Sequence, residues 1–149
     1  MKNFKNKYLL VVLLCLVALV NAVYLSYEAY QYMYTGVEVS SVCDLSQSIS
    51  CSEVLKSPYS RVFGIPFPWI ALAVYPILLA LAYMGYRTKE ISYAKVIQVL
   101  AFCGMLFNFF IIYREIFYIY AYCILCLICT LIIVSVFGIS TSIIREAQN

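Results

Sequence analysis

Four stretches of the chain run without a single Asp, Glu, Lys or Arg: Tyr8 to Tyr27, Trp69 to Tyr86, Val96 to Tyr113 and Phe117 to Ile144. Each is long enough, at about 1.5 Å per helical residue, to cross a hydrocarbon layer about 30 Å thick. Polar positions do not alternate with apolar ones, and backbone groups in lipid must be satisfied within their own segment, so these stretches predict helices rather than barrel strands. The expected architecture is an all-α membrane protein, a four-transmembrane-helix bundle with helices at about 8–34, 66–86, 93–113 and 117–144. The outer loop, 35–65, carries a short amphipathic helix, and the whole of 1–149 forms a single integral membrane domain.

The pattern at the start admits a second reading. Lys2, Lys5 and Lys7 precede an apolar run that reaches Val20-Asn21-Ala22, a sequence that could pass for a signal-peptidase site. The run continues past Ala22 through Val23, Tyr24, Leu25 and Tyr27, however, so the expectation is a helix that stays in the bilayer. Pro66 and Pro68 mark the start of helix two, and Pro76 inside it predicts a kink that would widen the outer half of the bundle.

Four spans alternate sides, so the N-terminus, the turn near Arg87 and the C-terminus share one face. Lys2, Lys5, Lys7, Arg87, Lys89, Lys95 and Arg145 lie there, against Lys56, Arg61 and Arg114 opposite. That asymmetry makes the first face cytoplasmic and points the long loop at a periplasm or equivalent lumen, where disulfides persist. Tyrosines at 27, 30, 32 and 34 and at 113, 118, 120 and 122 fall where an interfacial aromatic belt would sit on the outer surface. Composition agrees: 65% hydrophobic and 11% charged residues are values that water as main solvent does not produce, and the net charge of +3 implies only compatibility with anionic headgroups.

The chain has seven cysteines and no histidine, which removes every scheme that uses imidazole as base, relay or metal ligand. Cys15, Cys103 and Cys129 lie inside apolar helices and read as small hydrophobes. Cys129 also follows Cys123 and Cys126 at i, i+3 spacing on one helix face. Charge-derived topology puts Cys43 and Cys51 in the outer loop and Cys123 and Cys126 near the outer end of helix four, so both pairs reach one membrane face. Three readings stay open: a thiol-disulfide relay, two inert structural staples, or a four-thiolate metal site, for which the eight-residue step from Cys43 to Cys51 is not a usual zinc spacing. Counted from Phe117, Cys123 lies about 9 Å along its helix and Cys126 about 4.5 Å deeper, so Cys123 sits near the lip and Cys126 faces the apolar zone. An i, i+3 pair is close enough to close a disulfide with modest adjustment.

Ser50-Cys51-Ser52-Glu53 reads as a capping box with Ser50 as N-cap and Glu53 at N3. Cys51 then occupies a first helical turn, where the helix dipole favours thiolate over thiol. Val54, Leu55 and Tyr59 would form an apolar cover over the bundle mouth, with Pro58 limiting the helix. Asn108, about five residues from the outer end of helix three, could hydrogen-bond an oxygen of a ligand held in the bundle, though interhelical bonding is the plainer role for such an amide.

The segment from Cys43 to Ser52, CDLSQSISCS, the FGIP stretch from Phe63 to Pro66 and CILC from Cys123 to Cys126 together resemble the vitamin K epoxide reductase family, including its bacterial quinone-linked thiol oxidases. The order and spacing of the four cysteines fit the bacterial disulfide-bond protein B family less well, because there the CxxC pair comes first. The resemblance implies that Cys126 attacks a quinone, of ubiquinone, menaquinone or vitamin K type, and that Cys123 resolves the adduct. Cys51 then attacks Cys123, and a Cys43–Cys51 disulfide accepts electrons from a separate thioredoxin-fold protein, with Cys43 facing that partner. No metal or nicotinamide is required. Phe67 and Thr130 stand where animal epoxide reductases have asparagine and tyrosine, and the expected pocket is lined by Leu55, Tyr59, Phe67, Ile70 and Thr130.

The leading functional expectation is therefore a thiol oxidase of a bacterial inner membrane that supports disulfide bond formation. Its rivals are the same relay run as a vitamin K quinone or epoxide reductase, and a disulfide-stapled membrane scaffold.

Overall fold

The computed structural model describes residues 2–37 and 40–149. Positions 38–39 of the outer loop and the Lys2 side chain, one of the charges counted above, lie outside the described residues. Helix α1 spans Lys2–Tyr30 and widens into a π turn at Gln31–Thr35 that stops at Gly36, whose φ of 63° is left-handed. A short α2, Cys51–Lys56, leads through a 3-10 turn at Pro58–Ser60 into a two-stranded hairpin, β1 Arg61–Val62 and β2 Ile65–Pro66. Three long helices follow: α3 Phe67–Thr88, α4 Ile91–Arg114 with a π turn at Glu115–Ile119, and α5 Ile124–Gln148. Four helices are long and apolar enough to cross a membrane: Asn3–Thr35, Phe67–Thr88, Ile91–Ile119 and Ile124–Gln148.

Small residues decide how these helices meet. Cys15, Ala18 and Ala22 of α1, Ala82 of α3 and Ala94 and Ala101 of α4 are buried in one core, where short side chains let helices approach closely in lipid. Gly85 of α3 is the tightest case, since a Cβ there would stand 2.7 Å from Tyr8 Cζ. Large apolar residues such as Leu13, Val20, Val99 and Leu131 face outward, the arrangement a hydrocarbon solvent selects.

Both ends of the chain meet at one face of the bundle. Lys7 pairs with Glu146 and donates to Ser142 Oγ at 2.7 Å, while Tyr8 Oη donates to the Glu90 carbonyl at 2.8 Å. At the opposite face Arg114 donates to the carbonyls of Tyr59 and Arg61 at 2.9 and 3.1 Å, which anchors the loop region to the end of α4.

Two local expectations change. Helix four begins at Ile124 rather than Phe117, because Tyr120 takes a left-handed conformation (φ 57°) and Cys123 is extended. Cys123 is therefore the N-cap of α5, with no length of helix before it. The FGIP stretch is a two-residue hairpin turn in which Phe63 and Gly64 both have positive φ, 52° and 79°. Paired positive φ values match the right-handed twist of the flanking strands.

Candidate functional site

The loop builds its chemistry around Asp44. Its Oδ1 accepts from Ser50 Oγ at 2.7 Å and the Ser52 backbone N–H at 3.1 Å, and its Oδ2 accepts from the Ser41 N–H at 2.9 Å and from Ser52 Oγ. Partial burial pushes this carboxyl up, but the hydrogen bonds from Ser52, Ser50 and Ser41 outweigh it and hold the pKa at about 2. The fold of 41–52 thus closes on one carboxylate and brings Cys43 beside Cys51. The two are bonded as a disulfide with their Cα atoms 5.8 Å apart.

Ser50 caps α2 as expected, accepting from the Glu53 N–H at 3.2 Å. The reciprocal half of the box does not form, because the Ser50 N–H donates instead to the Tyr122 carbonyl at 3.1 Å. With the Tyr122 N–H donating to the Ser48 carbonyl at 2.8 Å, this makes a parallel bridge between Ile49 and Tyr122. The loop is therefore clamped by its backbone to the chain just before α5. Since Cys51 is bridged to Cys43, the dipole of α2 faces a disulfide rather than a thiolate in this state.

The clamp sets the sulfurs in line. Cys51 Sγ lies 3.0 Å from Cys123 Sγ, and the Cys126 N–H points at Cys123 Sγ from 3.4 Å. Cys51 and Cys123 are both completely buried, while Cys43 keeps 6% exposure and is the loop sulfur nearest to solvent. The sulfurs of Cys43, Cys51 and Cys123 fall within 4.8 Å of one another, close enough to share a metal ion. Two of the three are spent in the disulfide, however, and ligation needs thiolates.

Three acids shape this region, none of them among the residues the sequence singled out. Besides Asp44, Glu115 is completely buried, and its Oε2 accepts the Cys123 N–H at 3.4 Å. Glu28, 2% exposed on α1, accepts from Ser41 Oγ at 2.8 Å, and the same hydroxyl lies 3.5 Å from Cys43 Sγ. The available signal was a lone acid in an otherwise apolar segment, and the neighbouring Arg114 and tyrosines made both glutamates look interfacial.

A cavity of about 260 Å³ opens between α3 and α4, with Cys126 and Cys129 of α5 in its wall. Of the residues expected at a pocket, Phe67, Ile70 and Asn108 line this cavity, and Leu55, Tyr59 and Thr130 do not. Leu55 packs into the apolar cluster around Cys43, Cys51 and Cys123, and Tyr59 turns its ring onto Tyr118 at 5.1 Å. The Thr130 hydroxyl donates to the Cys126 carbonyl at 2.9 Å, a bond within its own helix. Asn108 donates to the Gly104 carbonyl at 3.0 Å while remaining in the cavity wall. Of the other cysteines, Cys15 is a buried core residue, Cys103 is exposed and lines the cavity, and Cys129 Sγ accepts from the Asn21 amide at 3.0 Å.

Residues 9–141 match the model of the vitamin K epoxide reductase family. The chain belongs to that family. No match is found among curated proteins. Family membership, the Cys43–Cys51 disulfide and the Cys123 sulfur beside it make this a redox cysteine relay, and the chain a thiol oxidoreductase of the membrane.

Proposed function

We propose that the chain oxidises the dithiol of a separate thioredoxin-fold protein and delivers the two electrons to a membrane quinone, so supporting disulfide bond formation. The supporting observation is the order of the sulfurs. Cys43 and Cys51 are bonded, Cys51 stands 3.0 Å from Cys123, and Cys126 lies in the wall of an apolar cavity. One end of the line is the less buried loop sulfur and the other lies in an apolar cavity.

The cavity suits a quinone head group. Its volume lies just below the range of about 300–1,000 Å³ typical of small-ligand sites, so a head group would fit with its isoprenoid tail left outside. Apolar side chains hold the ring faces, and the Asn108 amide is the polar group suited to a quinone oxygen. Cys126 supplies the attacking sulfur there, and Cys123 closes a disulfide with it. The two thiols release two electrons and two protons, which convert quinone to hydroquinone.

Cys51 then attacks Cys123. A Cys51–Cys123 bond forms as the Cys123–Cys126 bond breaks, and Cys43 next attacks Cys51 to restore the loop disulfide. The partner's dithiol reduces that disulfide through Cys43, and the cycle repeats. In this reading, a loop disulfide beside unbonded Cys123 and Cys126 is the state expected after the internal exchange and before quinone arrives.

The loop faces the periplasmic side of a bacterial inner membrane in this proposal, with both termini cytoplasmic and 1–149 acting as one domain. The test is direct. Reduced, purified protein given quinone should regain its disulfides and yield hydroquinone, and Cys126→Ala should abolish both. Undiminished hydroquinone formation by that variant would overturn the assignment.

A further inference from the structure

The internal exchange needs a proton to move inside a closed space. When Cys51 attacks the Cys123–Cys126 disulfide, its thiol must lose a proton and Cys126 must gain one, yet Cys51 and Cys123 have no exposed surface and Cys126 has only 4%. Water is an ineffective carrier there. No imidazole exists anywhere in the chain.

Among the described residues, Glu115 is the acid that contacts the Cys123 backbone at this junction. Glu115 is completely buried; its Oε2 accepts the Cys123 N–H, and its Oε1 has no hydrogen-bond partner among the described residues. Cys126 lies within electrostatic reach of the same carboxyl. Glu115 opens the π turn Glu115–Ile119 at the end of α4, and π turns in helices are frequent at functional sites. A buried polar oxygen left without a partner costs free energy and asks for a use.

We propose that Glu115 is the proton carrier of the internal thiol-disulfide exchange. The inference rests on the relay order given above. As Cys51 becomes a thiolate its proton passes to the Glu115 carboxylate. The Cys51–Cys123 bond forms, the Cys123–Cys126 bond breaks with its electron pair staying on Cys126, and Glu115 returns the proton to that sulfur. The reaction is neutral overall and leaves Glu115 as it began.

Other ionisable groups nearby are otherwise engaged. Arg114 is held by the Tyr59 and Arg61 carbonyls and lies over the Phe110 ring, and Lys56 stands 4.0 Å from Glu53 on the outer side of α2. Asp44 is occupied by serines and the Ser52 amide, and Glu28 by Ser41.

The experiment follows the appearance of free Cys126 thiol after dithiothreitol is added to the oxidised protein in detergent, by rapid alkylation and mass mapping across a range of pH. Glu115→Gln keeps an oxygen for the Cys123 N–H but cannot carry a proton. It should slow release of Cys126 by about 10²- to 10⁴-fold and flatten the pH profile, the scale of general acid-base contributions. Glu115→Asp should recover part of the rate and the pH dependence. A wild-type rate and profile in Glu115→Gln would overturn the proposal. Should that variant not fold, infrared difference spectra of the wild-type chain serve instead. A protonated-carboxyl band that changes on thiol reduction, moves with isotopically labelled glutamate and survives Glu28→Gln supports the proposal, and its absence overturns it. No quinone enters either measurement, so failure of quinone coupling would remove the proposed function and leave this result to be judged separately.

Discussion

Replacing Asp44 with alanine should open the loop without touching a cysteine. The carboxylate accepts four hydrogen bonds, from Ser41 N–H, Ser50 Oγ, Ser52 N–H and Ser52 Oγ. At about 1.5–3 kcal/mol for each bond to a charged acceptor, the gross loss reaches about 6–12 kcal/mol. Water can reach this half-buried site and re-solvate the freed donors, so a net cost of about 2–4 kcal/mol is the reasonable scale. That corresponds to a roughly 30- to 700-fold larger population of opened loop at about 1.4 kcal/mol per decade. The assay is reduction of Cys43–Cys51 by a water-soluble phosphine, which must wait for opening because Cys51 is fully buried and Cys43 nearly so. If opening and closing are fast, the reduction rate rises by the same factor. Asp44→Asn should fall between, since it keeps one acceptor but sets an amide donor against the other pair of donors. The sign with pH follows from the depressed pKa. Asp44's contribution is fully present above the ordinary carboxylate range, near 3.9, and is lost only as pH falls through about 2. Reduction rates, normalised to a small-molecule disulfide, should therefore be flat from neutral pH down to about 4 and climb below it. An Asp44→Ala protein reduced at the wild-type rate would refute the reasoning.

Gly85→Ala should lower thermal stability in detergent by about 1–3 kcal/mol, the usual cost of overpacking, because its Cβ would run into the Tyr8 ring. Trimming Tyr8 to leucine in the same chain should recover part of that loss, and an additive double mutant would count against the contact. Phe63→Gly should raise stability by about 1 kcal/mol, since phenylalanine at φ 52° is strained and its side chain, 99% exposed, packs on nothing in the chain. Denaturation of both proteins in one detergent checks this, and a lower midpoint for the glycine variant would refute it.

The spans were legible because charge is costly along a helix in lipid, so each charge-free run marks a crossing, although the run from Phe117 starts seven residues before α5 and Glu28 and Glu115 fall inside membrane-length helices. The convergence of the cysteine pairs was legible for a related reason: once four crossings are counted, Cys43, Cys51, Cys123 and Cys126 must share a face. What could not be read is how they meet. Tyr120 gives no hint of the left-handed turn that delays α5 and makes Cys123 a cap, and nothing near Ile49 announces its bridge to Tyr122. The capping box misled by half because that distant pairing claims the Ser50 N–H. Of the expected pocket residues, Phe67 and Ile70 reach the cavity from the start of α3, whereas Thr130 turns to its own helix backbone and Tyr59 to Tyr118. Glu115 and Glu28 were passed over because an acid beside interfacial residues normally faces water, and only tertiary packing covers these two.

The bridge between Ile49 and Tyr122 makes spacing, rather than composition, the property this junction must preserve. Leu45, Gln47 and Ser48 are exposed, so their side chains can be exchanged with little effect on the bridge, whereas the Ser46 hydroxyl accepts from the Ile49 N–H at 3.2 Å. A single residue added between Ser48 and Cys51, by contrast, would slide one thiol about 3.3 Å along the ladder and swing it to the opposite side, out of step with Cys123.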